Sequence, residues 1–187
     1  YLLSNKLPAE IVKQTLPFHW ALEFWYVFFN EDGSVKEQEQ QGFDAVIGNP
    51  PFVAFHSRQY HSLPKEMDQY YDKTFHIWSR SRKNTYLFFL SIGIEKLLKK
   101  FQYLGFVIDQ AIRDLPSYTH IREYLLTNFT LNKIIPKIKF PDASVDVTLL
   151  IIQNNTSTNN KVEYIEYLNE FLPAKELEQT YFLKQNN

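Results

Sequence analysis

The chain has 187 residues and a formal net charge of −1 at pH 7, so its overall charge gives no basic surface for a polyanion. A hydrophobic content of 44%, with 16 Phe and 12 Tyr, excludes a disordered or fibrous chain and suffices for one domain with a core. The absence of cysteine excludes a disulfide framework, a thiolate zinc site and a catalytic thiol.

The sequence contains neither a signal peptide nor an apolar run of the ~20 residues that a membrane span needs. The expected location is therefore the cytoplasm. The chain opens without an initiating Met and in the middle of a pattern, which predicts a piece of a longer polypeptide.

The first half of the chain predicts one or two helices over 8–29, broken at Pro17, and then a loop over 30–41. A buried strand is predicted over 43–47, followed by a long irregular segment over 55–83 with a short helix after Pro64. The second half predicts a helix from Thr85 to Lys100, a strand over 103–108 and a helix from Ser117 to Asn128. Two strands are then predicted at 134–135 and 147–152, separated by a turn at Pro141 and Asp142. The last part of the chain predicts a loop over 154–160, an edge strand over 162–168 and a helix over 173–184.

Strands and helices alternate over residues 43–135, and this pattern predicts an α/β fold. We expect a single domain over residues 1–187 with a mostly parallel sheet, helices on both faces and an antiparallel edge.

The sharpest motif is Asn49-Pro50-Pro51-Phe52, which directly follows the strand predicted over 43–47. Ligands of open α/β sheets bind at the carboxyl ends of the strands, so the motif lies where a site is expected. Asn-Pro is also a common turn starter, and an ordinary turn is the alternative interpretation.

The segment from Gly42 to Val53 resembles the catalytic motif of the adenine-N6 DNA methyltransferases, and among them the type IIG restriction-modification methylases. The likeness extends over residues 17–153, with 154–187 as an extension. It is carried as well by the segments Pro17-Phe18-His19-Trp20-Ala21-Leu22-Glu23-Phe24, Asn84-Thr85-Tyr86-Leu87-Phe88-Phe89, Gly105-Phe106-Val107-Ile108 and Phe140-Pro141-Asp142-Ala143-Ser144-Val145-Asp146-Val147.

This resemblance implies a partial Rossmann-like methyltransferase fold and methyl transfer from S-adenosylmethionine to the N6 amine of a flipped adenine in double-stranded DNA. It implies catalytic roles for Asn49, Pro50, Pro51 and Phe52. Asn84 and Tyr86 would reach the donor or the base, although an N-cap and a core aromatic are an equal alternative.

The residue types fit this chemistry, because the adenine amine is a poor nucleophile whose lone pair is delocalised into the ring. The Asn49 side-chain oxygen and a backbone carbonyl of Pro50 or Pro51 can accept both amine hydrogens and localise that lone pair. The prolines make the loop rigid. Phe52 offers a flat face to a base taken out of the stack.

The donor site departs from the family pattern. The chain has only five glycines, at 33, 42, 48, 93 and 105, and none forms a Gly-x-Gly loop. We therefore expect the donor-binding part upstream, in the rest of the parent polypeptide, and a fragment that is inactive alone.

The irregular segment over 55–83 holds a basic-aromatic tract. Its predicted DNA contacts are Arg58, Arg80, Arg82 and Lys83, with a solvated loop as the alternative. The tract's other basic residues are Lys65 and Lys73, and its aromatic residues are Tyr60, Tyr70, Tyr71, Phe75 and Trp78. His56, His61 and His76 lack metal-ligand spacing, so no metal is expected.

Two further functions stay open at this point. A protein glutamine-amide methyltransferase uses the same Asn-Pro-Pro-[FY] loop, because an amide nitrogen poses the same lone-pair problem. A non-catalytic DNA-recognition or scaffold piece could keep the fold alone.

Overall fold

The computed structural model describes residues 18–55, 64–80, 82–140, 145–157 and 159–184. The described residues form one six-stranded sheet with the spatial order β1-β2-β4-β3-β5-β6. The strands are β1 (Phe43–Gly48), β2 (Leu98–Asp109), β3 (Thr130–Ile138), β4 (Val147–Gln153), β5 (Lys161–Tyr164) and β6 (Lys175–Glu178).

Seven α-helices lie in the described part of the chain: α1 (Trp20–Glu23), α2 (Trp25–Phe28), α3 (Lys65–Thr74), α4 (Thr85–Ile92), α5 (Ala111–Asp114), α6 (Thr119–Asn128) and α7 (Gln179–Lys184). A π-helical turn (Gly93–Leu97) continues α4, and a 3₁₀ turn (Pro116–Tyr118) precedes α6.

The predicted α/β fold is confirmed, and its sheet is mixed. β1 and β2 are parallel, as are β3 and β5, whereas β4 runs antiparallel to both of its neighbours. β6 also pairs antiparallel with β5. Three of the five strand pairs among the described residues are antiparallel, so the expectation of a mostly parallel sheet with one antiparallel edge is wrong.

Helix α4 forms the centre of the core. Its sequence, TYLFFLSI, is apolar on nearly every side, and five of its eight residues are buried; a helix of this kind belongs in an interior. The turn that follows it lies close to β2, because a Cβ on Gly93 would come within 2.7 Å of Leu104 and 3.3 Å of Phe106. The parallel crossover from β1 to β2 is thus packed tightly on one face of the sheet.

The opposite face of the sheet is open at β1 and β2. Ile47 is 85% exposed, and its neighbour across the sheet, Gly105, has open space in front of it. Tyr103, on the same face of β2, is 45% exposed. Among the described residues β1 pairs only with β2, so its outer edge is also unpaired.

Gly42 fixes the entry to β1. Its φ is +107°, and a Cβ there would lie 2.6 Å from the Leu97 carbonyl oxygen and 2.6 Å from the Lys99 nitrogen. Only glycine permits this close approach of two backbones.

Several predicted bounds are corrected by the structure. The helix expected from Thr85 to Lys100 ends in the π-helical turn, because Leu98 already belongs to β2. Ser117 lies within the 3₁₀ turn and makes no cap hydrogen bond to α6. The terminal helix over 173–184 is replaced at its start by β6, which pairs with β5. The helix over 8–17 and the turn at 141–142 lie outside the described residues.

Candidate active site

The Asn49–Phe52 loop leaves the carboxyl end of β1, beside the parallel strand β2. Gly48, the last residue of β1, is paired with Phe106. Asn49 is exposed, whereas the next residue, Pro50, is buried. This is the position at which open α/β sheets bind ligands.

Thr85 holds this loop from the start of α4. Its hydroxyl accepts a hydrogen bond from the Val53 N–H at 3.0 Å and donates one to the Pro51 carbonyl. Its own N–H donates to the Val53 carbonyl at 3.0 Å. Two residues further along, the Phe55 N–H donates to the Lys83 carbonyl at 3.1 Å. The backbone is therefore fixed on both sides of Phe52.

Phe52 packs against Tyr86, whose ring is completely buried. Burial raises the pKa of the Tyr86 hydroxyl, and the nearby Tyr118 and Asp109 add to the effect. The phenol therefore stays neutral, and its ring meets the Phe52 ring edge to face. Its predicted contact with donor or base stays a prediction, while the structure gives the ring a packing role.

Asn84 is the N-cap of α4. Its side-chain oxygen accepts from the Tyr86 N–H at 3.4 Å, and the residue is buried. This capping satisfies a helix donor that would otherwise have no partner. A contact between Asn84 and a methyl donor likewise stays a prediction.

The predicted DNA contacts are in different environments. Arg80 and Arg82 are exposed, and Arg58 lies outside the described residues. Lys83 is only 8% exposed, and its ammonium group contacts Asp68 at 2.6 Å and Asp72 at 2.8 Å. Lys83 is therefore not available to a phosphate in this structure.

The charge of Lys83 serves the fold instead. Burial works against this charge, but hydrogen bonds to Asp68 and Asp72 outweigh it and raise the pKa of the ammonium group. The contacts of Lys83 with Asp68 and Asp72 join α3 to the segment that precedes α4. Because 15 residues separate Lys83 from Asp68, no local pattern in the sequence indicates it.

Three of the aromatic residues that follow Pro64, namely Tyr71, Phe75 and Trp78, pack in or against the core. Tyr71 stacks on Phe88 with ring centroids 4.7 Å apart and planes at 6°, and Phe75 stacks on Phe88 at 4.7 Å. Trp78 is 1% exposed. The predicted basic-aromatic tract is therefore divided, with these rings inside and two arginines outside.

Glu95 connects α4, α6 and the segment after α3 within the core, a role that the sequence interpretation missed. Its carboxylate accepts from the Trp78 indole at 3.0 Å, the Ser91 hydroxyl at 2.9 Å and the Tyr124 hydroxyl at 2.9 Å. The i, i+4 spacing of Ser91 and Glu95 is the one local signal for it. Thr85 was missed too, since it was noted only as part of a helix.

No group of three or more His, Asp or Glu side chains in the described ranges is placed to hold a metal ion. Within those same ranges no helix is long and apolar enough to cross a membrane.

A family model described as Eco57I restriction-modification methylase matches residues 2–141. A protein of Methanocaldococcus jannaschii named as a type II restriction enzyme and methyltransferase is 29% identical over 151 residues, which are 80% of this chain. The chain spans only 11% of the length of that relative.

Two solved structures share the fold. The type IIG restriction endonuclease BpuSI has a TM-score of 0.55 at 11% identity, over 81% of this chain and 21% of its own. A protein of Listeria monocytogenes described as a class I S-adenosylmethionine-dependent methyltransferase has a TM-score of 0.50 at 17% identity. This second alignment covers 67% of this chain and 36% of the Listeria chain.

Proposed function

This chain belongs to the Eco57I restriction-modification methylase family, and from that premise we propose that it carries the base-holding half of an adenine-N6 DNA methyltransferase. Double-stranded DNA is its substrate, the rest of a longer polypeptide its partner, and the cytoplasm its location. The observation that carries the proposal is the Asn49–Phe52 loop, with Asn49 exposed at the carboxyl end of β1.

The loop suits the activation of an exocyclic amine. The Asn49 side-chain oxygen accepts one amine hydrogen and a backbone carbonyl accepts the other, so that the nitrogen lone pair is freed from the ring. The Pro51 carbonyl already accepts from the Thr85 hydroxyl, whereas no described residue donates to the Pro50 carbonyl. This difference supports Pro50 as the second acceptor.

Phe52 completes the site as a stacking surface. A base removed from the duplex loses its stacking partners, and an aromatic face replaces them. The fixed backbone on both sides of Phe52 keeps that face in place without a cost at the moment of binding. No strong base is required, because the nitrogen attacks the methyl group before it loses a proton, and the positively charged methylated nitrogen then releases that proton to water.

S-adenosylmethionine is the methyl donor that the family implies, and it supplies an electrophilic methyl group. The described residues do not fit its main binding site, because none of the five glycines belongs to a Gly-x-Gly loop between a strand and a helix. The open face and unpaired edge of β1 support a donor-binding part that packs there. This chain would then be inactive alone.

The glutamine-amide methyltransferase is not favoured, because the matching family is that of restriction-modification methylases. The scaffold alternative gains no support from an intact and rigid Asn49–Phe52 loop.

Replacement of Asn49 tests the proposal in the full-length polypeptide that contains this chain. Asn49→Ala should lower methylation of DNA by a factor of about 10²–10³, because it removes an acceptor used in the chemical step. DNA affinity should survive. Asn159→Ala, at an exposed position of the loop between β4 and β5, is the matched control and should methylate normally.

Mass spectrometry of the digested DNA identifies the product. N6-methyladenine from the wild type, and its loss in Asn49→Ala alone, supports the assignment. Near-normal turnover of Asn49→Ala would overturn the role of Asn49, and a methyl group on another base would overturn the choice of adenine.

A further inference from the structure

The Asn49–Phe52 loop has few means of anchoring itself. Pro50 and Pro51 lack N–H groups, so this part of the loop has no backbone donors with which to bond to its surroundings. Its anchors must come from donors that approach its carbonyls, or from backbone groups further along. The Thr85 hydroxyl supplies both kinds of anchor, because it donates to the Pro51 carbonyl and accepts from the Val53 N–H at 3.0 Å.

Thr85 is half-buried and is fixed at the start of a core helix. It follows the N-cap Asn84, and the next two residues, Tyr86 and Leu87, are fully buried. Its N–H also donates to the Val53 carbonyl at 3.0 Å. A displacement of the loop would therefore have to break three hydrogen bonds to one residue that cannot follow it.

We propose that Thr85 is a positioning residue for methyl transfer, whose hydroxyl holds the loop so that the Pro50 carbonyl and the Phe52 ring keep their places around the target amine. This inference rests on the proposed function. By occupying the Pro51 carbonyl, the Thr85 hydroxyl leaves the carbonyl of Pro50 as the acceptor. By fixing the backbone before and after Phe52, it sets the orientation of the stacking face.

Two substitutions in the full-length polypeptide separate the hydroxyl from the rest of the side chain. Thr85→Val keeps the shape but removes the donor and the acceptor, while Thr85→Ser keeps the hydroxyl and loses only a methyl group. A small misplacement of reacting groups costs up to about 100-fold in rate. Single-turnover methylation by Thr85→Val should therefore be about 10- to 100-fold slower than by the wild type, with Thr85→Ser within about threefold of it.

Two further measurements distinguish positioning from general damage. The affinities of Thr85→Val for DNA and for S-adenosylmethionine should stay within about threefold of the wild type, since only the chemical step depends on the loop geometry. Hydrogen exchange of the Val53 amide should speed up in Thr85→Val and not in Thr85→Ser. If Thr85→Val fails to fold, Thr85→Ala removes the same hydroxyl without adding a methyl group.

Equal rates for Thr85→Val and the wild type would overturn the inference while leaving the proposed function in place. A Thr85→Ser variant as slow as Thr85→Val would overturn it as well, because the hydroxyl would then be irrelevant. If the wild type transfers no methyl group to DNA, the proposed function itself fails. In that case the hydrogen-exchange rate of the Val53 amide, compared between Thr85→Val and Thr85→Ser, still tests whether the Thr85 hydroxyl holds the loop.

Discussion

The ring of Phe52 meets that of Tyr86 edge to face, with centroids 5.9 Å apart and planes inclined by 84°. Tyr86 is completely buried, while Phe52 is half-buried at the end of the Asn49–Phe52 loop. An edge-to-face pair has a preferred geometry, so an immobile Tyr86 sets the orientation of Phe52.

This relationship leads to a prediction for Phe52 in the full-length polypeptide. Phe52→Trp should keep most methylation activity, because the stacking role needs a flat face. Phe52→Ala should lose about 5- to 150-fold, as stacking of a base is worth about 1–3 kcal/mol. Phe171→Ala, which removes an exposed ring elsewhere, is the control. Equal activity of the two Phe52 variants in a methyl-transfer assay would remove the stacking role.

Arg82 and Lys83 are adjacent in sequence but should respond differently. Arg82→Ala should weaken DNA binding and reduce the slope of log affinity against log salt by about 1, since an exposed cation is lost. Lys83→Met should leave that slope unchanged and lower the free energy of unfolding by about 1 kcal/mol, because Asp68 and Asp72 lose their partner.

Anisotropy titrations at several salt concentrations, together with urea unfolding, measure both effects. A reduced slope in Lys83→Met equal to that in Arg82→Ala would contradict the assignment of Lys83 to the fold.

Gly42 and Gly33 can be compared through the effect of a Gly→Ala substitution on the free energy of unfolding. Both have positive φ, +107° and +80°, but only at Gly42 would a Cβ meet backbone atoms, at 2.6 Å. Gly33→Ala should cost about 1 kcal/mol from the backbone conformation alone. Gly42→Ala should cost about 3 kcal/mol or more, because β1 must move away from Leu97. Equal denaturation midpoints for the two variants would refute the close approach.

Residues 1–187 expressed alone should not bind S-adenosylmethionine at micromolar concentrations. Donor binding needs glycines at a strand-to-helix turn that bring backbone N–H groups close to the ligand, and the sequence has no Gly-x-Gly to form such a turn. Titration calorimetry is the measurement, and the comparison adds the proposed donor-binding part in trans. Saturable binding by the chain alone would place the donor site within these residues.

The sequence allowed the prediction of features that depend on local pattern. The apolar run that forms β1 and the two prolines after it specify a strand closed by a rigid loop, so the place of Asn49 could be foreseen. The end of α4 could not be, because the π-helical turn there depends on how Gly93 fits against Leu104 and Phe106.

The other differences also arise from long-range pairing. The segment Lys175–Glu178 is a strand because β5 lies beside it. The Lys161 Nζ of β5 lies 3.1 Å from the Glu176 Oε2 of this segment. Lys83 is buried because Asp68 and Asp72 reach it from α3. Each of these outcomes depends on a partner that is distant in sequence, which periodicity and propensity do not detect.

In the described part of the chain the outer edge of β1 has no partner strand, which matters for how such a protein is made. An edge strand pairs through its main chain with almost any extended segment, another copy of itself included, so it attracts partners without selecting among them. If the donor-binding part precedes this chain, it leaves the ribosome first and folds first. Strand β1 would then be synthesised next to a part that has already folded, and the order of synthesis would protect the edge of β1 from aggregation.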